Sequence, residues 1–398
     1  MRRNARVHAF LAVLGLASLA LLAACRPSAP PPDDSAPAGS SAAPSAPASQ
    51  PAGAGSAPPA GAPGAPSSAG PSASAASAPA APSAPPPLTP PVTVKVGHPG
   101  TFSGAPLFLA KQRGYFTAEG LDVQPEGFSV SADIIPAIAT GELAAASSAI
   151  NPALFNAAAR GIALTLVADA GSAQPGRTNT SLVIRKDVVD SGRYTRLTDL
   201  RGLTIGVPGP YTVVHYMLAL IADRNGFPLD DIRITPVPMA DSLVALRNGS
   251  LDGYYDVEPS PTIAERESIG VRVLGTDELY PGFQSSLVYY GPSMTAQPEA
   301  ARRFMVAYVR GVRDYLSAFF EGKDTDRAVE DVRREGIAVP REIIAGGIDP
   351  DARLSVASIE SILDWWQQVG ALPSKPDLRA MTDSQYVDYA LSRLGPAK

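Results

Sequence analysis

Apolar residues recur along the chain from Val92 onward with two different periods. Residues 92–96 (VTVKV) and 203–207 (LTIGV) are apolar at every second position, which predicts strands. Residues 105–112 and 213–221 have apolar side chains three and four positions apart, which predicts helices. Strands that alternate with helices of this length are typical of α/β folds, in which helices cover both faces of a parallel sheet.

This alternation occurs in two series, 92–168 and 203–257, and mainly helical residues follow them. The later part has one apolar stripe at helical spacing, formed by Phe304, Tyr308, Tyr315, Leu316 and Phe319. The roughly 300 residues after the first strand begins are enough for two lobes with separate cores.

Residues 1–24 have the pattern of a secretory signal. Three arginines, Arg2, Arg3 and Arg6, precede an apolar run over residues 10–22. The run is shorter than the ~20 residues that span a bilayer, although an uncleaved membrane anchor is the alternative. The string LAAC at 22–25 resembles a bacterial lipobox, which implies cleavage before Cys25 and acyl chains on its thiol and amino group. Cys25 is the only cysteine, so an internal disulfide is excluded.

Residues 25–91 are predicted to be this lipidated cysteine followed by a disordered linker. After residue 26 they are almost wholly Ala, Pro, Ser and Gly, which cannot bury enough apolar surface to offset the entropy of ordering. The chain has 33 basic and 38 acidic residues, a formal net charge of −5. This balance gives no basic surface for nucleic acid or for anionic lipid.

Several strings of the folded part resemble one known family. They are GHPG (97–100), GYFTAEGLDV (114–123), LRGLTIGV (200–207), ALRNGSLDG (245–253), EP (258–259) and PGFQSS (281–286). In this order they resemble periplasmic solute-binding proteins of the nitrate, sulfonate, taurine and thiamine-pyrimidine type, here in lipoprotein form. The resemblance covers about residues 92–320 and is weak beyond them.

The resemblance implies the type II periplasmic binding protein fold, with two α/β lobes, a central cleft and two crossovers. We expect the crossovers near 182–198 and 275–287. The first lobe is then 92–195 plus 286–398, and the second lobe is 196–285. The resemblance also implies that the lobes close around a solute and that a membrane permease recognises the closed form.

The first turn, residues 98–104, follows the first predicted strand, where ligands bind in open α/β sheets. It contains His98, Phe102 and Ser103, and the resemblance places ligand contacts here. The alternative is a glycine-rich turn with Phe102 packed in the core. A metal site is not expected, because the folded part has only one other histidine, His215, and no cysteine.

The second turn, residues 147–152, brings hydroxyl groups to the start of a helix. Ser148 is the predicted ligand contact. Asn151 is a further candidate, but Asn followed by Pro is also a common way to cap and begin a helix.

The third turn, residues 208–212, opens a helix of the second lobe. The backbone N–H groups of Tyr211 and Thr212 are expected to be free, which suits a sulfonate, a carboxylate or nitrate. The Tyr211 ring adds an aromatic wall in this interpretation. An ordinary helix start explains the same residues.

Glu258 follows a predicted strand of the second lobe. A carboxylate in the cleft would repel a simple anion and bind an amine or an aminopyrimidine. The alternatives are that Glu258 caps the following helix or faces the hinge.

Together these features predict a lipid-anchored, monomeric solute-binding protein on the periplasmic or cell-surface side of a bacterial membrane. It binds a small polar or anionic organic solute, which is sulfonate-, taurine- or nitrate-like or a pyrimidine. Its partners are an ABC permease and its ATPase, and neither a cofactor nor an enzymatic activity is expected. The alternatives are a tethered ligand-sensing ectodomain and an enzyme similar to pyrimidine-precursor synthases, which by resemblance would have a cysteine cluster.

Overall fold

The computed structural model describes residues 85–128, 131–337, 339 and 345–397. These residues all fall within one compact unit of the chain, 77–398. The predictions for the signal, for Cys25 and for most of the linker lie outside the described residues. In the described part, no helix has both the length and the apolar character needed to cross a membrane.

The described strands form two separate five-stranded sheets. The first sheet has the order β2-β1-β3-β10-β4 and the second has the order β7-β6-β8-β5-β9. Pairing is parallel except around β10 in the first sheet and β5 in the second, which are antiparallel to both of their neighbours. The strands are β1 (Val92–His98), β2 (Leu121–Gly127), β3 (Ala145–Ala149), β4 (Thr165–Ser172), β5 (Thr180–Arg185), β6 (Thr204–Val207), β7 (Arg233–Pro236), β8 (Gly253–Val257), β9 (Gly270–Gly275) and β10 (Gln284–Tyr290).

Helices follow most strands and cover the sheets. They are α1 (Ala105–Gln112), α2 (Tyr115–Ala118), α3 (Ile134–Ala139), α4 (Pro152–Ala159), α5 (Lys186–Asp190), α6 (Val213–Arg224), α7 (Met239–Arg247), α8 (Ser260–Arg266), α9 (Thr276–Leu279), α10 (Pro292–Thr295), α11 (Pro298–Phe320), α12 (Thr325–Arg334), α13 (Val356–Gln368), α14 (Leu378–Met381) and α15 (Gln385–Leu394). This arrangement confirms the predicted two-lobe α/β fold.

The chain passes between the sheets twice, over residues 173–179 and 276–283. The first crossing lies earlier than expected, because the expected lobe boundary at 195/196 leaves Thr180–Arg185 in the first lobe. This strand instead pairs with β8 and β9 in the second sheet. Its apolar residues 182–184 predict a buried strand, but an apolar run does not specify which sheet the strand joins.

The long helix α11 packs against α1 and α15 in the first lobe. Its predicted stripe is buried at Phe304, Tyr308 and Tyr315. Gly311 lies where α11 meets α1, because a Cβ atom there would come within 2.2 Å of the Pro106 carbonyl oxygen. The stripe therefore forms the core between α11, α1 and the sheet.

A fully buried carboxylate connects three chain segments at the first crossing. Asp169 in β4 accepts hydrogen bonds from the backbone N–H groups of Gly171 (2.6 Å) and Asp349 (2.7 Å). It also accepts from Ser172 Oγ (2.6 Å) and from Gln284 Nε2 at the start of β10. Burial raises the pKa of Asp169 to about 6, although these hydrogen bonds act in the opposite direction.

Helix α13 lies between the two lobes. Its Trp366 is fully buried and packs against Phe155 of α4 in the first lobe, with ring centroids 5.9 Å apart. Trp366 Nε1 donates a hydrogen bond to the carbonyl oxygen of Tyr211 in the second lobe (2.8 Å). The neighbouring Trp365 packs against Tyr216 of α6 (5.4 Å). Residues beyond 320 therefore connect the lobes.

Candidate functional site

The carboxyl ends of the parallel strands in both sheets lie beside the crossings. Ala149, the last residue of β3, pairs with Ser286 near the start of β10. Val257, the last residue of β8, pairs with Thr180 at the start of β5. Because β1 is parallel to β3 and β6 is parallel to β8, the turns after all four strands lie at the inter-lobe side. The predicted site residues therefore occupy the position where α/β sheets bind ligands.

His98, the last residue of β1, is almost completely buried, with 6% of its surface exposed. Its Nδ1 accepts a hydrogen bond from Gly100 N (3.0 Å), and its ring meets Phe108 edge-on at 4.9 Å. Burial lowers the pKa of His98, so the imidazole is neutral at pH 7. Because Nδ1 accepts, the proton of the neutral ring is on Nε2, which is then a hydrogen-bond donor.

The other two residues of the first turn have partners within the first lobe. Phe102 is half-buried and packs edge-on against Phe319 of α11 (5.1 Å). Ser103 Oγ shares a hydrogen bond with Thr101 Oγ1 (2.7 Å). Phe102 therefore also belongs to the core between the turn and α11, as the alternative interpretation has it.

The second turn is also satisfied internally. Ser148 is buried and shares a hydrogen bond with the Tyr289 hydroxyl (3.2 Å), and burial raises the pKa of Tyr289 to about 12. Asn151 Oδ1 accepts from Leu154 N (3.1 Å), so Asn151 caps α4. Neither side chain is free of protein partners.

The third turn differs from its expectation at one backbone group. Tyr211 N–H is not free, because it donates to His215 Nδ1 (3.1 Å). The histidine sits one turn along α6, at a spacing that brings its ring back over the start of the helix. Thr212 caps α6 through Oγ1, which accepts from His215 N (3.4 Å) and donates to Gly209 O (3.0 Å).

Tyr211 has an unusual conformation at this turn. Its φ is +60°, in the left-handed region that a bulky side chain rarely adopts. The residue is 38% exposed, and its ring stacks on His215 at 6.3 Å and lies 6.5 Å from Trp365. Burial lowers the pKa of His215, which keeps its Nδ1 unprotonated and able to accept.

Glu258 is neutralised by an arginine that the sequence interpretation missed. Its Oε1 accepts from Arg272 Nη2 (2.8 Å), and its Oε2 accepts from Thr262 N (3.2 Å) in α8. Arg272 also donates to Ser181 Oγ (2.8 Å) and pairs with Glu265 (3.2 Å). The glutamate therefore caps the following helix, and its charge is balanced inside the second lobe.

Two further observations concern possible binding sites in the described part. No group of three His, Cys, Asp or Glu side chains there is arranged to hold a metal ion. A groove of ≈ 590 Å³ on the second lobe is lined by Tyr194, Arg196, Asn225 and Leu274, together with their neighbours. None of the predicted site residues lines this groove.

The sequence interpretation missed three side chains at the site. Trp365 and Trp366 lie beyond the range of the resemblance, and Arg272 lies on β9, 14 residues after Glu258. The adjacent tryptophans are a signal that could have been used, because the chain contains only two of them. No local spacing predicts the pairing of Arg272.

Solved structures share the fold at low sequence identity. A putative periplasmic sulfonate-binding protein SsuA from Methylobacillus flagellatus is 18% identical, with a TM-score of 0.60 over 77% of this chain and 96% of that one. The desulfurization enzyme DSZB is 15% identical, with a TM-score of 0.54 over 76% of this chain and 99% of that one. A binding protein and an enzyme thus have the same two-lobe architecture, the type II periplasmic binding protein fold.

Two curated proteins are similar in sequence over part of their lengths. The riboflavin-binding protein RibY of Chloroflexus aurantiacus is 23% identical over 230 residues, 57% of this chain and 62% of that protein. The bicarbonate transport ATP-binding protein CmpC of Synechocystis is 25% identical over 200 residues, 48% of this chain and 30% of that protein. The chain thus spans less than two thirds of either relative.

The family itself is established by a match over more than half of the chain. The sequence profile of the family described as NMT1/THI5 like matches residues 101–318. This range contains the second and third turns and all of the first turn except residues 98–100. The chain therefore belongs to the NMT1/THI5-like family.

Proposed function

We propose that the protein is the solute-binding component of an ABC import system and acts as a monomer. It binds one small organic solute between its lobes, and an ABC permease with its ATPase receives the solute from the closed form. The observation that supports this most directly is the pair of lobes joined by two crossings, with the carboxyl ends of β1, β3, β6 and β8 beside them. Such a joint permits closure around a ligand, with contacts from both lobes.

The solute is a small polar or anionic compound, either sulfonate-, taurine- or nitrate-like or with a pyrimidine-type ring. The SsuA neighbour supports the first class, and the RibY relative, named for riboflavin, supports a ring compound. The pairing of Glu258 with Arg272 removes the expected conflict between a free carboxylate and an anionic solute.

A thermal-shift panel tests this function directly. Full-length protein with Cys25→Ser is mixed with taurine, alkanesulfonates, nitrate, aminopyrimidines and riboflavin. A ligand at 100 times its Kd adds about 2.7 kcal/mol of stability. We expect one class to give a clear shift and native mass spectrometry to show one bound molecule per monomer. No shift with any compound, and no copurified small molecule, would contradict the proposal.

We further propose that the protein works outside the cytoplasmic membrane, attached through acyl chains on Cys25 and tethered by residues 26–91. The basic start, the short apolar run and the single cysteine at its end support this. More than one acyl chain gives stable anchoring, and a tether raises the local concentration near the permease. In detergent phase partition, wild type should enter the detergent phase and Cys25→Ser the aqueous phase. Equal partition of the two would contradict lipidation.

The alternatives are a sensor that passes its closed state to a receptor and an enzyme. The DSZB neighbour shows that the fold also serves catalysis. The folded part of this chain has no cysteine, so cysteine chemistry is excluded there. Incubation with the bound compound should return it unchanged, and loss of the gene should abolish its uptake. A new product would indicate an enzyme, and normal uptake would favour a sensor.

A further inference from the structure

Helix α13 is attached to the first lobe at both of its ends. At its start, Ser358 Oγ accepts a hydrogen bond from Gln284 N (2.9 Å), and Ser355 N donates to Gln284 Oε1 (3.0 Å). Just after its end, the carbonyl oxygen of Ala371 accepts from Asn156 Nδ2 of α4 (3.1 Å). Gln284 is the first residue of β10, directly after the second crossing. The helix therefore belongs to the first lobe and begins beside the joint between the lobes.

The contacts of α13 with the second sheet's helix α6 and its preceding turn are made by two adjacent tryptophans. Trp366 Nε1 donates to the carbonyl oxygen of Tyr211 (2.8 Å). The Trp365 ring lies 5.3 Å from the His215 ring and 5.4 Å from the Tyr216 ring. Trp366 is fully buried, and Trp365 is 9% exposed. The attachment of α13 to the second lobe thus depends mainly on these two side chains.

The two tryptophans lie at a distance from the joint. Trp366 is eight residues after Ser358, which places it about 12 Å further along the helix. A lobe rotation of about 15° would displace a point at this distance from the joint by about 3 Å. A hydrogen bond of 2.8 Å does not survive such a displacement. The lobes therefore cannot separate by this angle while Trp366 stays bonded to Tyr211.

Separation of the lobes at this point would also expose apolar surface. The buried side chains of α4 in the first lobe, of α6 in the second lobe and of α13 belong to one continuous apolar cluster. Trp366 is part of this cluster and packs against Phe155 of α4. Burial of large aromatic side chains is among the strongest contributions to a core. The chain itself therefore favours the joined arrangement of the lobes, without a contribution from a solute.

From these observations we propose that α13 is a latch that holds the two lobes together in the absence of solute. The latch is fixed to the first lobe and engages the second lobe through Trp365 and Trp366. It sets the fraction of molecules whose lobes are already joined when a solute binds, and hence the apparent affinity for that solute. The inference rests on the proposed function, because it concerns the motion by which the lobes enclose a solute.

Tryptophan fluorescence tests the latch without a label, because Trp365 and Trp366 are the only tryptophans of the chain. The sample is full-length Cys25→Ser protein in which native mass spectrometry detects no bound small molecule. We expect the emission of buried indole and weak quenching by acrylamide. Emission at the wavelength of exposed indole, with strong quenching, would show that the lobes are separate without solute and would overturn the latch.

An inter-lobe distance tests which side chains hold the latch. Spin labels at Arg160→Cys, directly after α4, and at Val244→Cys on α7 are placed in the same Cys25→Ser background and measured without solute. The parent should have mainly short distances and a minor longer population. Gln367→Ala, at an exposed position of α13, is the matched control and should give the same distribution.

Two variants weaken the latch from opposite sides. Trp366→Phe keeps a ring against Phe155 but removes the donor to Tyr211. Loss of this hydrogen bond should raise the ratio of long to short distances about fivefold. His215→Ala removes a ring that packs against Trp365 from the second lobe and leaves α13 unaltered, so it should change the ratio in the same direction. Circular dichroism shows whether each variant is folded, and His215→Ala alone is sufficient if Trp366→Phe is not.

The outcomes distinguish the latch from the function on which it rests. Distance distributions that are the same in the parent and in the folded latch variants would overturn the latch. If a compound of the thermal-shift panel still shortened the distance in that case, the solute-binding function would stand. Longer distances in the variants, with no compound of the panel bound by any of them or by the parent, would support the latch and contradict the solute-binding function.

Discussion

The first turn and the third turn occupy equivalent positions, after β1 and after β6, yet they present their side chains differently. At both turns a histidine accepts a backbone N–H through Nδ1: buried His98 accepts from Gly100, and half-buried His215 of α6 accepts from Tyr211. In the first lobe the histidine is itself the last residue of β1, and it is 6% exposed. In the second lobe the histidine lies behind Tyr211, which is 38% exposed.

This difference leads us to propose a division of roles between the lobes. In the first lobe the polar groups of the turns are mostly paired with each other and form a framework. In the second lobe Tyr211 is exposed, and its carbonyl oxygen is held by Trp366 of α13. Variants of the framework should therefore change stability, and variants of the exposed ring should change binding.

The largest expected effect is that of Trp366→Ala, which removes the side chain that contacts both lobes. Truncation of a fully buried tryptophan should cost about 3–5 kcal/mol of unfolding free energy. We expect denaturant unfolding followed by circular dichroism to show the loss, and its single transition to become two as the lobes separate. Gln367→Ala, at an exposed position of the same helix, is the control and should keep one transition. An unaltered transition in Trp366→Ala would show that α13 does not connect the lobes.

The next effect concerns the charge pair between Glu258, directly after β8, and Arg272 of β9. Arg272→Leu leaves Glu258 buried without its partner, which should cost about 3 kcal/mol. The double variant Arg272→Leu/Glu258→Met removes both charges and should regain most of the stability. Chemical denaturation measures both. If Glu258→Gln instead abolished solute binding with little change in stability, Glu258 would be a ligand contact and the comparison of the turns would need revision.

A pH titration tests whether the pKa values of the two histidines are lowered in the same way. Burial lowers the pKa of both His98 and His215 below the unfolded value of about 6.5. The unfolded chain then binds more protons just below this pH, so each histidine contributes stability that is lost as the pH falls through 6.5. His98→Gln and His215→Gln should each reduce this acid loss. A histidine NMR signal that titrates above 6.5 would contradict the burial argument.

Asp169 changes stability with pH in the opposite direction to the histidines, so its contribution must be measured separately. Its pKa is raised to about 6, above the unfolded value of about 3.9, so its protonation stabilises the folded state as the pH falls from 6 toward 4. We expect Asp169→Asn to remove this contribution, measured as the difference in unfolding free energy between pH 6 and pH 4. An equal pH dependence in wild type and Asp169→Asn would contradict a buried carboxyl group with a raised pKa.

The smallest expected effect is that of Asn151→Ala at the second turn. Loss of the cap on α4 should cost about 1 kcal/mol, with solute affinity unchanged. Asn151→Asp keeps a cap acceptor and should retain most of the stability. A loss of affinity larger than the loss of stability would instead make Asn151 a solute contact, and the first lobe would be more than a framework.

The local features of the fold follow from local signals. The strand alternation at Val92–Val96, the stripe at Phe304 and Tyr308 and the cap at Asn151 all depend on residues a few positions apart, and the structure contains each of them. The sheet that a strand joins, in contrast, is not decided by residues a few positions apart. The strand Thr180–Arg185 has the apolar pattern of a buried strand, but its partners lie about 70 and 90 residues away.

The candidate site was only partly predictable for the same reason. His98 and Tyr211 are marked by their positions after strands, whereas the bond from Trp366 to Tyr211 joins residues 155 positions apart. The N–H of Tyr211 was expected to be free because helix starts leave such donors unpaired. The ring of His215 accepts it, which the sequence spacing permits but does not require.

The central claim, that the two lobes close around a solute, is tested most directly by an inter-lobe distance. Spin labels at Arg160→Cys, directly after α4, and at Val244→Cys on α7, both exposed, report on the two lobes in a Cys25→Ser background that has no other thiol. The distance distribution is recorded without solute and with the compound that gives the largest thermal shift. The account predicts a shorter and narrower distribution with that compound. An identical distribution at saturation would contradict closure.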